Sequence, residues 1–300
     1  MNKRICPICK IDRNKSDKVF LDASYDQNKL SQESYSSRKI PEYMSYKLKE
    51  CSTCSIVYAS EVPNLCLSSE YNNAIFKSEG EAEDASITYF KYIKKEILSN
   101  RVTKKNINIL DIGCGNGFFL NLLENDGYRL CEGIEPSIEA INNNNNNNIK
   151  IHHGLFDNIE LDNKYDLITC FMTLEHIEDL NSFITKAKKI LNKQGTIVFV
   201  VHNYESLLNK IFKSKSPIID IEHYQLFNKK SISFFINKFF SNSLRIIDLK
   251  NSYNLEYWLR LFPFPIKVKK IILKFAKKSG IGRIKLSINV GNMMVIAKNE

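Results

Sequence analysis

The stretch INILDIGCGNG, residues 107–117, decides the fold. Its first half is a short apolar strand ending at the acid Asp111, and its second half sets Gly113, Gly115 and Gly117 at every other position. Alternating glycines let the backbone turn tightly and come close to a ligand, and the helix starting near Phe118 points its N-terminus at the same spot. Strand, loop and helix together open a βαβ unit that holds a nucleoside-like ligand.

The neighbours of the loop narrow the choice of ligand. A dinucleotide fingerprint spaces its glycines G-x-G-x-x-G to seat a pyrophosphate, whereas this chain has G-x-G-x-G with Asp111 just ahead of it. A carboxylate there repels a pyrophosphate and suits a cation. The arrangement resembles motif I of the class I S-adenosylmethionine (SAM) methyltransferases. That resemblance implies that Asp111, Gly113, Cys114, Gly115 and Gly117 lie about the amino-acid part of SAM.

One βαβ unit later, RLCEGIEPS reads as a second strand ending at Glu135. A carboxylate in that place can accept both hydrogen bonds of a ribose diol, the role that the resemblance gives it; a Glu capping the helix at Pro136–Ser137 is the structural alternative. The run YDLITC, residues 165–170, reads as a buried parallel strand followed by Phe171, Met172, Thr173, Leu174, Glu175 and His176 at the carboxyl edge of the sheet, where such sheets bind ligands. The string LEHI, residues 174–177, resembles the same segment in the branch that includes the ubiquinone-pathway O-methyltransferases. It implies that Phe156 lines the adenine and that Phe171 and Met172 line SAM and the acceptor.

The expected fold class is therefore α/β: a Rossmann-like, seven-stranded SAM methyltransferase core behind a small N-terminal zinc-ribbon-like module. The expected organisation is a module over 1–65, a helical bridge over 66–106 and a methyltransferase domain over 107–300 with a basic insertion at about 252–288. LRIIDLK and GNMMVIAKN would be the last two strands, the final one antiparallel as in the family.

Four of the eight cysteines are patterned, Cys6-Pro-Ile-Cys9 and Cys51-Ser-Thr-Cys54. Two such knuckles can surround one Zn²⁺ with four thiolates, a closed shell that leaves no coordination site for chemistry, so the zinc is read as structural. A redox dithiol is the competing reading. The segment between the knuckles is polar and too weakly apolar to fold without such a staple. Cys66, Cys114, Cys131 and Cys170 read as buried small hydrophobes.

With 300 residues and 43% apolar content the chain can bury a full core and carry more than one module. The start MNKRICPICK has no apolar core, and no uninterrupted apolar run reaches the roughly 18 residues of a membrane span. The expectation is a cytoplasmic protein, with peripheral contact at the inner membrane face as an open alternative.

Methyl transfer asks the protein to align an acceptor with an already electrophilic sulfonium and to exclude water; a hydroxyl acceptor adds the need for a group that takes its proton. His176 and His223 are the candidate bases, His223 lying in IEHYQLFN, which resembles the family's E-H-x-x-x-F segment. Each also has a structural reading: a hydrogen bond to backbone for His223, capping of the loop for His176. His202 could touch the acceptor or satisfy its own turn, and His152 and His153 read as the end of the third strand.

The net charge of +10 raises the question of an anionic partner. Basic residues outnumber acids most strongly from Lys229 to Lys285, and IKVKKIILKFAKK interleaves them with apolar positions. An ordinary amphipathic helix packed on the core is the preferred expectation, and a helix lying on an anionic membrane is the alternative. The run Asn142–Asn148 reads as a low-complexity tract that frays.

Zinc modules ahead of a SAM domain resemble a bacterial group of sugar and surface-polysaccharide methyltransferases, although this chain lacks the length for their further C-terminal domain. The leading function is methyl transfer to a small-molecule or glycan acceptor, such as a nucleotide sugar or a lipid-linked sugar. A nucleic-acid methyltransferase is the alternative, disfavoured because FMTLEH replaces the Pro-Pro-aromatic motif of amino-group base methylases. A non-catalytic SAM-binding protein is the third.

Overall fold

The computed structural model describes residues 2–11, 16–30, 34, 44–63, 71–72, 80–99, 106–146, 148–240, 243–262 and 264–300. Cys66 lies outside them, as do parts of the expected bridge. The N-terminal stretch contributes β1 (Asn2–Lys3), β2 (Lys18–Leu21), β3 (Leu48–Glu50), β4 (Val57–Ala59) and β5 (Glu61–Val62), followed by helix α1 (Glu81–Ile93).

Beyond residue 106 come β6 (Asn108–Ile112), α2 (Phe118–Asn125), β7 (Leu130–Glu135), α3 (Ile138–Asn142), β8 (Lys150–His153), β9 (Tyr165–Phe171), α4 (Leu180–Ile190) and β10 (Leu191–His202). The chain continues through α5 (Leu207–Phe212), β11 (Gln225–Leu226), α6 (Lys229–Asn237), β12 (Arg245–Asp248), β13 (Asn251–Asn254), α7 (Leu255–Leu261), α8 (Ile266–Ser279), β14 (Lys285–Ile288) and β15 (Asn292–Lys298).

Seven strands form one sheet in the order β8-β7-β6-β9-β10-β15-β12. The first five are parallel, and β15 runs antiparallel to both β10 and β12, as the sequence reading expected. The central strands are near-continuous apolar runs because both faces of a parallel sheet are covered. Alternate residues go to opposite sides: Leu110, Ile168, Phe199 and Val201 join one core cluster, and Ile109, Leu167, Val198 and Val200 the other. The reversal in strand order, with β6 between β7 and β9, opens a crevice at their carboxyl ends, and the ligand loops stand there.

Of the N-terminal strands, β1 and β5 pair with each other, and the other three share a four-stranded sheet with a strand from far down the chain. β2, β3 and β4 are antiparallel, and β11 adds to the edge of β4 with Gln225 opposite Tyr58 and Leu226 opposite Val57. Nothing in the spacing of the cysteines announces this pairing, which joins residues more than 160 positions apart in the chain.

Two sequence expectations are corrected. The asparagine tract does not simply fray: α3 ends at Asn142, Asn144 and Asn146 accept from the backbone two residues on, and the Asn146 amide donates to Asn121 at 2.9 Å and to Glu124. Asparagine side chains replace the missing helical bonds with local turns. The basic helix α8 is packed through only part of its apolar surface, with Ile272 and Leu273 half-buried beside Ala276. Its buried positions are Lys269 and Ala276, while Val268, Ile271 and Phe275 point to solvent.

Candidate functional site

Why the loop after β6 turns as it does is visible in its backbone. Gly113, Gly115 and Gly117 all have positive φ, at 75°, 56° and 76°. A Cβ on Gly113 would stand 2.3 Å from Thr173 Oγ1, so that position needs glycine for space as well as for conformation. The loop folds back onto β7: Gly113 and Cys114 N–H donate to Ile134 O at 2.8 and 3.1 Å. The Cys114 sulfur fills the space that Gly133 leaves bare, so its backbone is what it offers a ligand.

Glu135 ends β7 with one carboxylate oxygen on Gly115 N–H at 2.8 Å and the other on Ser137 N–H at 2.9 Å. The capping reading and the ligand reading thus meet in one group: Glu135 holds the start of α3 and, with lone pairs to spare, also lines the cavity. Asp111 is buried and accepts from Thr169 Oγ1 at 2.7 Å. Burial, opposed by Thr169 and reinforced by Glu135, raises its carboxyl to about 7, so a cation at this place would draw out its charge.

These groups face one cavity of about 830 Å³. Asp111, Gly113, Cys114, Gly115, Glu135, Phe156, Phe171 and Met172 are on its wall; Gly117 is not, and serves as the left-handed N-cap of α2. Met172 sits at φ 52°, an uncommon conformation for a side chain other than glycine, with its N–H on Val200 O at 2.8 Å. Phe171 is packed between Tyr89 and Phe119, with ring centroids at 4.8 and 4.9 Å.

Three histidines from distant segments share the opposite side of the same cavity. The rings of His176 and His223 are 4.9 Å apart, and those of His223 and His202 are 5.5 Å apart. His223 Nδ1 lies 2.8 Å from Ile218 O and, facing a carbonyl, must carry the proton, which makes Nε2 the acceptor nitrogen of the neutral ring. His202 Nδ1 is 2.9 Å from Asn292 Oδ1, and burial, with His223 nearby, lowers its pKa to about 3, so it stays neutral. His176 Nδ1 approaches the Tyr71 hydroxyl at 3.2 Å and Glu222 at 3.8 Å.

Several other wall residues lie in the segment 252–288, which the sequence marks as an insertion without singling out their positions. Tyr253, Tyr257 and Trp258 form an aromatic cluster with centroids 4.6 to 6.0 Å apart, and Phe212 meets Phe262 at 5.2 Å. They reach the cavity because the segment from β13 to β14 folds over α1, tied by Arg260–Glu81 and by Lys285–Asp84 at 2.6 Å. Behind the wall, Glu175 of LEHI is wholly buried and takes the His202 N–H at 2.7 Å. Among the described residues, neither lysine nor arginine lines the cavity.

The four patterned cysteines do meet. Their sulfurs all lie within 4.8 Å of one another, with Cys6–Cys54 at 3.6 Å and Cys9–Cys51 at 3.9 Å. A tetrahedral Zn–thiolate shell needs edges of about 3.8 Å. The knuckles are alike in detail: Lys10 N–H donates to Cys6 O and Ser55 N–H to Cys51 O, each at 2.9 Å, and both residues are left-handed. Burial pushes the Cys9 thiol up to about 12, while the hydrogen bond with Cys54 draws the Cys6 thiol down to about 6; a cation among the four would draw out the protons that remain.

The Methyltransferase domain family model matches residues 87–250, more than half of the chain. The chain belongs to the methyltransferase domain family. It is 29% identical over 184 residues to an uncharacterised protein of Methanocaldococcus jannaschii, covering 58% of this chain and 77% of that one. It is 26% identical over 117 residues to the ubiquinone biosynthesis O-methyltransferase of Rickettsia bellii, covering 37% of this chain and 49% of the relative, about half its length.

Among solved structures, a Thermotoga maritima SAM-dependent methyltransferase, described as a possible histamine N-methyltransferase, is similar at TM-score 0.48 and 15% identity, covering 73% of this chain and 91% of that one. The plantazolicin methyltransferase BpumL, solved with S-adenosylhomocysteine, is similar at TM-score 0.48 and 18% identity, covering 78% and 90%.

Proposed function

We propose that this methyltransferase family member moves the methyl group of SAM to a hydroxyl-bearing small molecule, with His223 taking the proton. The carrying observation is that His223 and the glycine loop face one cavity. SAM supplies an electrophilic methyl whose sulfur leaves as a neutral thioether. Asp111 and the loop hold its amino-acid end, Glu135 its ribose and Phe156 its adenine. The acceptor oxygen attacks in line, and its proton passes to His223 Nε2.

The aromatic walls suit a ring, either of a sugar or of an aromatic acceptor. The charged wall residues are acids, including Asp220 and Glu222, and this favours an acceptor whose phosphates, where it has them, stay outside the cavity. A glycan of a surface-polysaccharide pathway fits that description; a nucleic-acid backbone does not. The Cys6, Cys9, Cys51 and Cys54 cage is proposed to hold one structural zinc.

The test is incubation with methyl-labelled SAM and three acceptor pools: nucleotide sugars, lipid-linked glycans or quinol-like phenols, and RNA. Label in RNA alone would overturn the acceptor reading, and the absence of SAM binding would overturn the whole.

A further inference from the structure

Helix α8 carries more apolar surface than a helix that serves only to cover a core: Ile272 and Leu273 are half-buried on its inner face, and a second apolar face is left outside. Its buried positions hold Lys269, whose ammonium donates to Arg260 O at 2.8 Å, and Ala276. Its large side chains Ile271 and Phe275 are 70% and 65% exposed. Four residues apart, these two lie on one face, and Lys267, Lys274 and Lys278 fall on the same side of the helix by its 3.6-residue period. Seven of the seventeen large apolar side chains exposed among the described residues fall between Phe262 and Leu286. Exposed apolar groups concentrated in this way mark an interaction surface.

We propose that this face docks on an anionic lipid bilayer. Charge selects the occupant. From residue 252 to 288 there are nine lysines and arginines against the single acid Glu256, which pairs with Lys277 at 3.0 Å. A second copy of the chain meeting this face about a two-fold axis would set lysine against lysine. An anionic bilayer accepts both components at once, apolar side chains below the headgroups and ammonium groups among them.

The surface also has a place relative to the cavity. α8 follows directly on α7 and Phe262, and Tyr257, Trp258, Leu261 and Phe262 line the cavity, so docking brings that wall to the lipid interface. An amphiphilic acceptor held in the bilayer would then enter without crossing water. That consequence rests on the acceptor reading above; the docking itself does not.

The experiment is sedimentation of the full chain with vesicles of phosphatidylcholine containing phosphatidylglycerol, against vesicles of phosphatidylcholine alone. Binding is expected to the anionic vesicles only, to weaken with salt, to fall about fivefold in Lys274→Gln and to vanish in Ile271→Asp/Phe275→Asp. SAM calorimetry on the same variants is expected to be unchanged, which keeps a failure of docking distinct from a failure of the donor site. Equal binding by the double variant would overturn the proposal. So would a vesicle-free dimer that the same two substitutions dissociate, since the face would then belong to a second copy.

Discussion

The carboxylate of Glu175 accepts the backbone N–H of His202 at 2.7 Å and so ties the turn after β9 to the end of β10. It does this without solvent exposure, its second oxygen is buried with no hydrogen-bond partner among the described residues, and burial raises its carboxyl to about 7. A carboxyl raised by folding contributes stability that is whole below its ordinary value of 4.5 and is lost as pH climbs through about 7. Glu175→Gln keeps the acceptor oxygen and removes the charge. Urea unfolding at pH 5 and pH 8 should show wild type losing up to about 3 kcal/mol more than the variant over that interval. Identical pH slopes would refute it.

Asp111 obeys the same sign but is coupled to a ligand. Its carboxyl, at about 7 without a cation beside it, is driven toward the charged form by the positive charge of SAM. SAM affinity should therefore rise with pH up to about 7 and level off above, with protons released on binding at lower pH. Calorimetry in buffers of different ionisation enthalpy reads that release. Asp111→Asn should abolish the pH dependence and weaken binding about tenfold or more.

His223→Ala should lower kcat by about 10²- to 10⁴-fold while leaving SAM affinity within a factor of two or so. The neighbouring His202, buried and lowered to about 3, is too weak a base to take its place. Retained activity would return His223 to its structural role on Ile218 O.

Gly113→Ala places a methyl group 2.3 Å from Thr173 Oγ1 at a φ of 75°. A loss of about 1–3 kcal/mol of stability is expected, together with loss of SAM binding. Adding Thr173→Ala should recover part of the stability, because the steric half of the cost disappears and the backbone half stays.

Removing the proposed zinc should loosen more than the N-terminal strands. Pro7 O accepts from Asn181 at 3.0 Å, Ile8 O from Lys238 at 2.7 Å, and Lys10 pairs with Asp179 at 2.9 Å, so the first knuckle grips α4 and α6 directly. Arg4 Nη1 and Ala59 N–H both reach Tyr224 O, at 3.2 and 2.8 Å, one residue past His223. Cys51→Ser/Cys54→Ser should bind no zinc by metal analysis and should unfold at least several degrees earlier. Amide exchange should quicken around residues 223–226 and leave the glycine loop unaffected.

The glycine-loop side of the cavity was legible because it is local. Asp111, the glycines and Glu135 belong to consecutive strand–loop–helix units, and the loop's geometry follows from residues with no Cβ at set spacing. The knuckles were legible for the same reason: a C-x-x-C turn is a five-residue event repeated once. The acceptor side was not. Tyr253, Trp258, Phe212 and Asn292 are ordinary residues in their own neighbourhoods and become cavity wall only when a segment far down the chain folds back over α1. The expectation for α8 was met only on its inner face, because periodicity shows that a helix has apolar residues without showing how much of that surface its neighbours cover.

By itself the sequence determined the βαβ core, the turn of the glycine loop and the pairing of two cysteine knuckles, since each rests on backbone conformation and spacing within a few residues. Only the tertiary structure decided that His176, His202 and His223 come together, that β11 locks the N-terminal strands beside them, and that α8 leaves Ile271 and Phe275 exposed. Those outcomes depend on burial and contact between segments 20 to more than 200 residues apart, where many partners compete for the same surface and the best packing of the whole chain selects among them.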